Sequence, residues 1–193
     1  MITTYQTGIV EGHCSLLPYT LDDSPDTLAA VAMNLAARVV FATLCKIPVL
    51  DAEILFMDIH GVFLPEVSIY VPEISPDATQ EEKEIRRTSD CFTLAAGIGI
   101  EMASGRRRNF MDWERDIKRI SLFTPDSELI VAMMVNLFKE YPNFYKVCAT
   151  VAYRLHKTRN IKGDELLQTV AQGIKHDERM KILKQIYDHV VTQ

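Results

Sequence analysis

The chain has no apolar run of the roughly 18–20 residues needed to cross a bilayer. Its opening stretch, MITTYQTGIVEGH, lacks the basic segment and apolar core of a secretory signal. A protein of the cytoplasm that does not enter a membrane is the expectation. Its four cysteines (Cys14, Cys45, Cys91 and Cys148) form no CxxC or CxxxC pair. That argues against a disulfide framework or a zinc ribbon. Three of them lie in apolar, helix-like stretches, where a free thiol behaves as a small hydrophobe. The five histidines (His13, His60, His156, His176 and His189) pair with no second ligand at metal spacing. Phosphate-binding glycine loops, a GxSxG elbow and an EF-hand loop are missing too. The two glycines of AAGIGIE fall inside a helix-like segment, where close helix packing explains them better than phosphate binding. No metal or cofactor is expected.

What is present fits one globular domain over residues 1–193, with 48% hydrophobic and 24% charged residues. The net charge of −5 gives no general reason to expect nucleic acid. Charge is uneven, with 14 acids against 5 bases in residues 1–100 and 12 against 16 in residues 101–193. Arg106, Arg107 and Arg108, with Arg86 and Arg87, are the candidate patch for an anion or RNA. Glu101, Asp112, Glu114 and Asp116 crowd the same neighbourhood, so a solvated loop with local ion pairs is the simpler reading.

The pattern predicts a mainly α (α+β) protein, a helical domain with a small sheet of two or three short strands near residues 50–74. Residues 1–23 have little periodicity and supply at most a short strand around YQTGIV. Ser24 as cap and Pro25 at the first position open a helix that Pro48 closes. LDAEILFMDIHGVFLPEVSIYVPEI is rich in β-branched and aromatic residues and breaks at His60-Gly61. Thr79 and Glu82 have capping-box spacing before a helix that ends near Ser104 and Gly105. The remainder reads as helical. Phe110, Trp113, Ile117 and Ile120 share one stripe, Thr124 and Pro125 open a further helix, and Pro142 opens the next. Met133, Met134, Leu137 and Phe138 form a stripe that is core or partner surface.

Between Ala30 and Cys45 the only strongly polar side chains are Asn34 and Arg38, one helical turn apart and so on one face. An arginine at the flank of a buried helix ordinarily lays its stem over apolar surface and keeps its head in water. A second reading comes from NLAARVVFATLCKIPV itself. Aligned without gaps, it resembles the HEAGHAVVAYALGIPV type of stretch in FtsH-like zinc metallopeptidase domains, down to the closing Ile47-Pro48-Val49. GIGIEMASG (97–105) is similar to the G-x-x-A-E-x-x-x-G signature of a later helix, with Ile100 in place of alanine. ERDIKRI offers Asp116 where that family carries its third ligand, with Asp112 one turn earlier as the alternative. VAYRLHKTRNIKGDELLQTV resembles the closing helices. The resemblance covers residues 25–172 and leaves 1–24 and 173–193 as terminal extensions.

In that family two histidines bind zinc and the glutamate between them activates water. Here the corresponding positions hold Asn34, Arg38 and Leu35: a poor ligand, a permanent cation and an alkyl group. The resemblance therefore implies a catalytically inactive, peptidase-like domain without zinc. It would act as a protein-binding, scaffold or regulatory module on another protein or on a second copy of itself. It also implies a specific contact, in which Arg38 supplies the cation that Asp116 would otherwise find in the metal. Two alternatives stand beside it. One is a metal-dependent hydrolase with ligands redrawn from His60, Glu101, Asp112, Asp116 or His156. The other is a small anion- or nucleic-acid-binding helical protein.

Overall fold

The computed structural model describes the backbone of residues 2–4, 25–59, 62–105 and 110–191, and side chains within 28–55, 67–105 and 113–188. In chain order the elements are β1 (Ile2–Thr4), α1 (Pro25–Leu44), β2 (Asp51–Ile59), β3 (Val62–Pro72), α2 (Gln80–Ala103), α3 (Phe110–Ser121), α4 (Ser127–Glu140), α5 (Pro142–Thr158), β4 (Asn160–Lys162), α6 (Gly163–Gly173) and α7 (His176–Val191). The architecture is mainly α with a small antiparallel sheet, as the composition and periodicity predict. None of the described helices is long and apolar enough to cross a membrane.

α1 is the central element because almost nothing on it needs water. From Val31 to Leu44 every side chain except Met33 is buried. It packs against α2, α5 and α6 and against the sheet through β2 and β3. Phe41 meets Phe92 of α2 at 6.2 Å and Phe144 of α5 at 6.5 Å between ring centroids. Phe144 in turn stacks on Phe138 of α4 at 4.5 Å. These tilted and stacked rings tie four helices around one core. α1 stops at Leu44, ahead of Pro48, because Lys46 adopts the left-handed conformation (φ 60°). The Ile47 amide then donates to the Ala42 carbonyl and the Lys46 amide to the Thr43 carbonyl, the paired bonds of a Schellman turn.

The sheet order is β1-β3-β2-β4, antiparallel throughout. Ala52 faces Ile69 and Ile54 faces Val67, and all four are buried. Asp51 and Glu53 alternate onto the other face, the period-2 pattern of a half-buried hairpin. The hairpin is the β region read from the sequence, but the sheet also recruits a strand from residues 2–4 and one from residues 160–162. The expected strand around YQTGIV lies outside the described residues, and β1 precedes it. β4 falls within a stretch that reads as helical. Its three residues are too few to show a period, and α5 ends just before it at Arg159, another left-handed residue (φ 65°). α1 and α5 thus deliver their C-terminal ends to the same sheet, where Asp51 pairs with Lys162 and Glu53 with Asn160.

The Thr79–Glu82 capping box forms, with Glu82 Oε2 accepting from the Thr79 amide at 2.8 Å. Pro142 opens α5 as expected, whereas the reading of Thr124 and Pro125 as the start of α4 is corrected. Thr124 Oγ1 accepts from the Asp126 amide at 3.3 Å, a turn of its own, so α4 begins only at Ser127. Ser24 lies outside the described residues. α7 belongs to the stretch set apart as a terminal extension, yet Ile182 and Ile186 join the common core. Met134, Leu137 and Phe138 are buried and Met133 packs partly against them, so that stripe is core.

A non-glycine residue in the left-handed region costs about 1–2 kcal/mol, part of which glycine returns in unfolded-state entropy. Lys46→Gly is therefore expected to stabilise the protein by about 0.5–1 kcal/mol. A urea midpoint that falls, with unchanged slope, would contradict this account of the turn.

Candidate functional site

Asn34 and Arg38 stand on the same face of α1, each only 4% exposed, so Arg38 does not reach solvent as a flanking arginine would. Its Nη2 donates to Asp116 Oδ2 of α3 at 2.5 Å, an ion pair sealed from water on both sides. Its Nε donates to Asn34 Oδ1 at 2.7 Å. Asn34 Nδ2 donates onward to Glu101 Oε1 of α2 at 2.6 Å. Trp113 Nε1 of α3 completes the set by donating to Glu101 Oε2 at 2.7 Å. Trp113 and Asp116 are three residues apart and share a helix face. The chain of bonds therefore leaves α3, crosses α1 and α2, and returns to α3.

The asparagine orientation follows from its neighbours. Its oxygen must meet an arginine, which only donates, and its nitrogen must meet a carboxylate that already accepts from Trp113. The reversed amide would oppose donor to donor and acceptor to acceptor. An asparagine at position 34 is thus the adaptor between a cation and a second buried carboxylate. An alkyl group would serve neither contact.

Gly97 explains how α2 comes close enough. A methyl group there would lie 2.6 Å from Arg38 Nε and 2.7 Å from Asn34 Oδ1, nearer than atoms can approach. At Gly99 the same atom would meet Met134 Cβ at 2.7 Å. Both glycines of AAGIGIE are packing residues, as the sequence suggests, but Gly97 packs against the polar cluster itself.

The structure brings together four of the residues singled out from the sequence: Asn34, Arg38, Glu101 and Asp116. Leu35, between the two α1 positions, is fully buried in the apolar core. Asp112 lies on α3, but its side chain is outside the described residues, as are Arg106, Arg107, Arg108, His13, Cys14 and His60. His156 is half-buried on α5 and His176 opens α7 at the surface. Among the described residues no three His, Cys, Asp or Glu side chains gather to hold a metal. Glu101 and Asp116, candidates for rearranged ligands, have carboxylate oxygens engaged by Asn34, Trp113 and Arg38. Of the proposed anion patch, Arg86 binds Asp90 at 3.1 Å, while Arg87 lies 3.8 Å from Glu84 and over the Phe123 ring. Trp113 was missed as a member of the site. The available signal was its one-turn spacing from Asp116, together with the need of a buried indole N–H for an acceptor.

The described cysteines are free and offer no nucleophile at neutral pH. Burial pushes the Cys45 thiol up to about 12 and Cys91 to about 11, and Cys148 rises well above the ordinary value for the same reason.

No protein-family model matches the chain, and no curated protein matches its sequence.

Two substitutions measure the cluster. Arg38→Ala leaves Asp116 buried without its cation and should cost about 3–5 kcal/mol. Adding Asp116→Asn should return part of that loss, since a neutral amide tolerates the site better, and a double mutant no more stable than Arg38→Ala in denaturant titration would remove the ion-pair argument. Gly97→Ala separates packing from propensity. Helix propensity alone predicts a gain of about 1 kcal/mol, whereas the close approach predicts a loss of about 1–3 kcal/mol. A more stable Gly97→Ala protein would show that α2 does not press on Asn34 and Arg38.

Proposed function

We propose that this chain is a catalytically inactive relative of the FtsH-type zinc metallopeptidase domain, acting in the cytoplasm as a protein-binding or regulatory module. The observation that carries the reading is the Arg38–Asp116 contact at 2.5 Å. The positions that the resemblance aligns with two zinc ligands and the third ligand, Asn34 and Arg38 on α1 and Asp116 on α3, join in one bonded chain. On this reading the guanidinium takes over the role of the metal as the cation that Asp116 needs. The order of elements supports the same reading: a buried helix, a hairpin, the Gly97–Glu101 helix, then the Asp116 helix.

The residues present do not fit zinc. A guanidinium repels a divalent cation, an amide binds it poorly, and Leu35 cannot accept a proton from water. Hydrolysis by the family mechanism has no base and no metal to use. What remains is a stable helical body whose surface is free to serve a partner. Leu122 and Phe123 stand exposed in the turn between α3 and α4, and Leu167 and Tyr153 on the faces of α6 and α5. The partner is another protein or a second copy of this chain.

Restoring the ligands tests the reading directly. The variant Asn34→His/Arg38→His, with Asp116 intact, is expected to bind one zinc per chain, since three ligands then converge in a protein-built site. Adding Leu35→Glu should permit weak peptide hydrolysis. The parent protein purified without chelator should carry no stoichiometric metal. A folded double variant that takes up no zinc would falsify the peptidase ancestry, and tight stoichiometric metal in the parent would overturn the inactive reading.

A further inference from the structure

We infer that α7 is a separable strap, a C-terminal helix that opens from the body as a unit while the remaining core stays folded. Its inner face carries Arg179, Ile182 and Ile186, at spacings of three and four residues that put them on one side of the helix. This face lies over the end of α1. The Arg179 guanidinium donates to the Leu44 carbonyl from Nη2 at 2.8 Å and from Nε at 3.2 Å, covering carbonyls that α1 leaves without a helical partner. α1 has no basic residue in its own last turn, so the cation that complements its negative end comes from α7. Cys45, one residue beyond the end of α1, neighbours Arg179 as well as Ser89 and Asp90.

The seat of α7 is narrow compared with that of α1. Ile182 and Ile186 are buried, but Met180, Lys181, Lys184 and Tyr187 face solvent. Two further bonds, Asn143 to Glu178 at 3.0 Å and Gln185 to Glu140 at 3.2 Å, join side chains at the surface, where water competes for both partners. A helix of this length has little stability alone, so its place depends on contacts to the body, chief among the described side chains those of Ile182, Ile186 and Arg179. Elements with few buried apolar contacts and solvated bonds are the ones that open below the cost of global unfolding. Opening would free the Leu44 carbonyl and expose further Cys45, which is already partly accessible, whereas Cys148 of α5 is fully buried in the main core.

Cysteine-resolved labelling of the full-length protein with iodoacetamide, read by peptide mass spectrometry across low urea concentrations, tests this. Partial exposure already sets the Cys45 rate above that of Cys148, so the expected result is a Cys45 rate that rises with urea, with a weaker dependence than that of Cys148, since less surface is exposed in a partial opening. Arg179→Ala and Ile182→Ala should each raise the Cys45 rate by about fivefold or more and leave Cys148 unchanged; a tenfold change corresponds to about 1.4 kcal/mol of opening free energy. Equal rates and equal urea dependence for the two thiols would show that only global unfolding occurs. A Cys45 rate unmoved by Arg179→Ala in a folded protein would show that α7 does not cover it.

Discussion

A guanidinium and a carboxylate held 2.5 Å apart in a dry interior constrain everything around them. Removing both charges from water costs several kcal/mol per ion, and their attraction repays this only where geometry is tight and the remaining donors and acceptors are matched. The protein meets that condition with neutral groups. Asn34 takes up Arg38 Nε and passes its own donor to Glu101, and Trp113 supplies a donor to the other oxygen of that carboxylate. The requirement extends to the backbone. α2 approaches closely enough only because position 97 has no side chain, and α3 must present Trp113 and Asp116 on one face.

The cluster explains why a helix as apolar as α1 keeps two polar residues. Stability alone does not demand them, because well-packed hydrophobic side chains in place of a buried ion pair are often as stable. What the polar set adds is specificity of arrangement. Helices held by apolar contacts alone can slide or rotate at small cost, whereas three directional bonds between helices fix α1, α2 and α3 in one register. On the reading of an inactive peptidase relative, these positions are inherited. Arginine on that reading stands in for a metal, as a permanent internal cross-link.

Much of the framework was legible beforehand because it rests on local chemistry. Pro25, Pro142 and the Thr79–Glu82 pair mark helix starts whose physics is confined to one turn. The unbroken apolar surface of α1 announced its central position. The hairpin followed from β-branched and aromatic residues on either side of His60-Gly61. The details that failed to show were those decided by competition or distance. Thr124 could cap a helix or close a turn of its own, and the turn won. β4 exists only because β2 offers an edge at Asp51–Glu53, which no property of Asn160–Lys162 reveals. Trp113 read as one more apolar residue on a stripe, since its N–H matters only once Glu101 is beside it.

By itself, the sequence determined the class of fold, the buried helix and the oddity of Asn34 and Arg38 on one of its faces, because periodicity, caps and residue type act over a few residues. The absence of a histidine pair and of a water-activating base at those positions was also plain from the letters. Only the tertiary structure decided what the two residues do. Arg38 and Asp116 are 78 positions apart, and Asn34 and Glu101 are 67 apart. Whether a lone arginine snorkels to water or is sealed against a carboxylate depends on which helices close over it. That is settled by packing of the whole core, at Gly97 and Phe41 alike, and not by any local pattern.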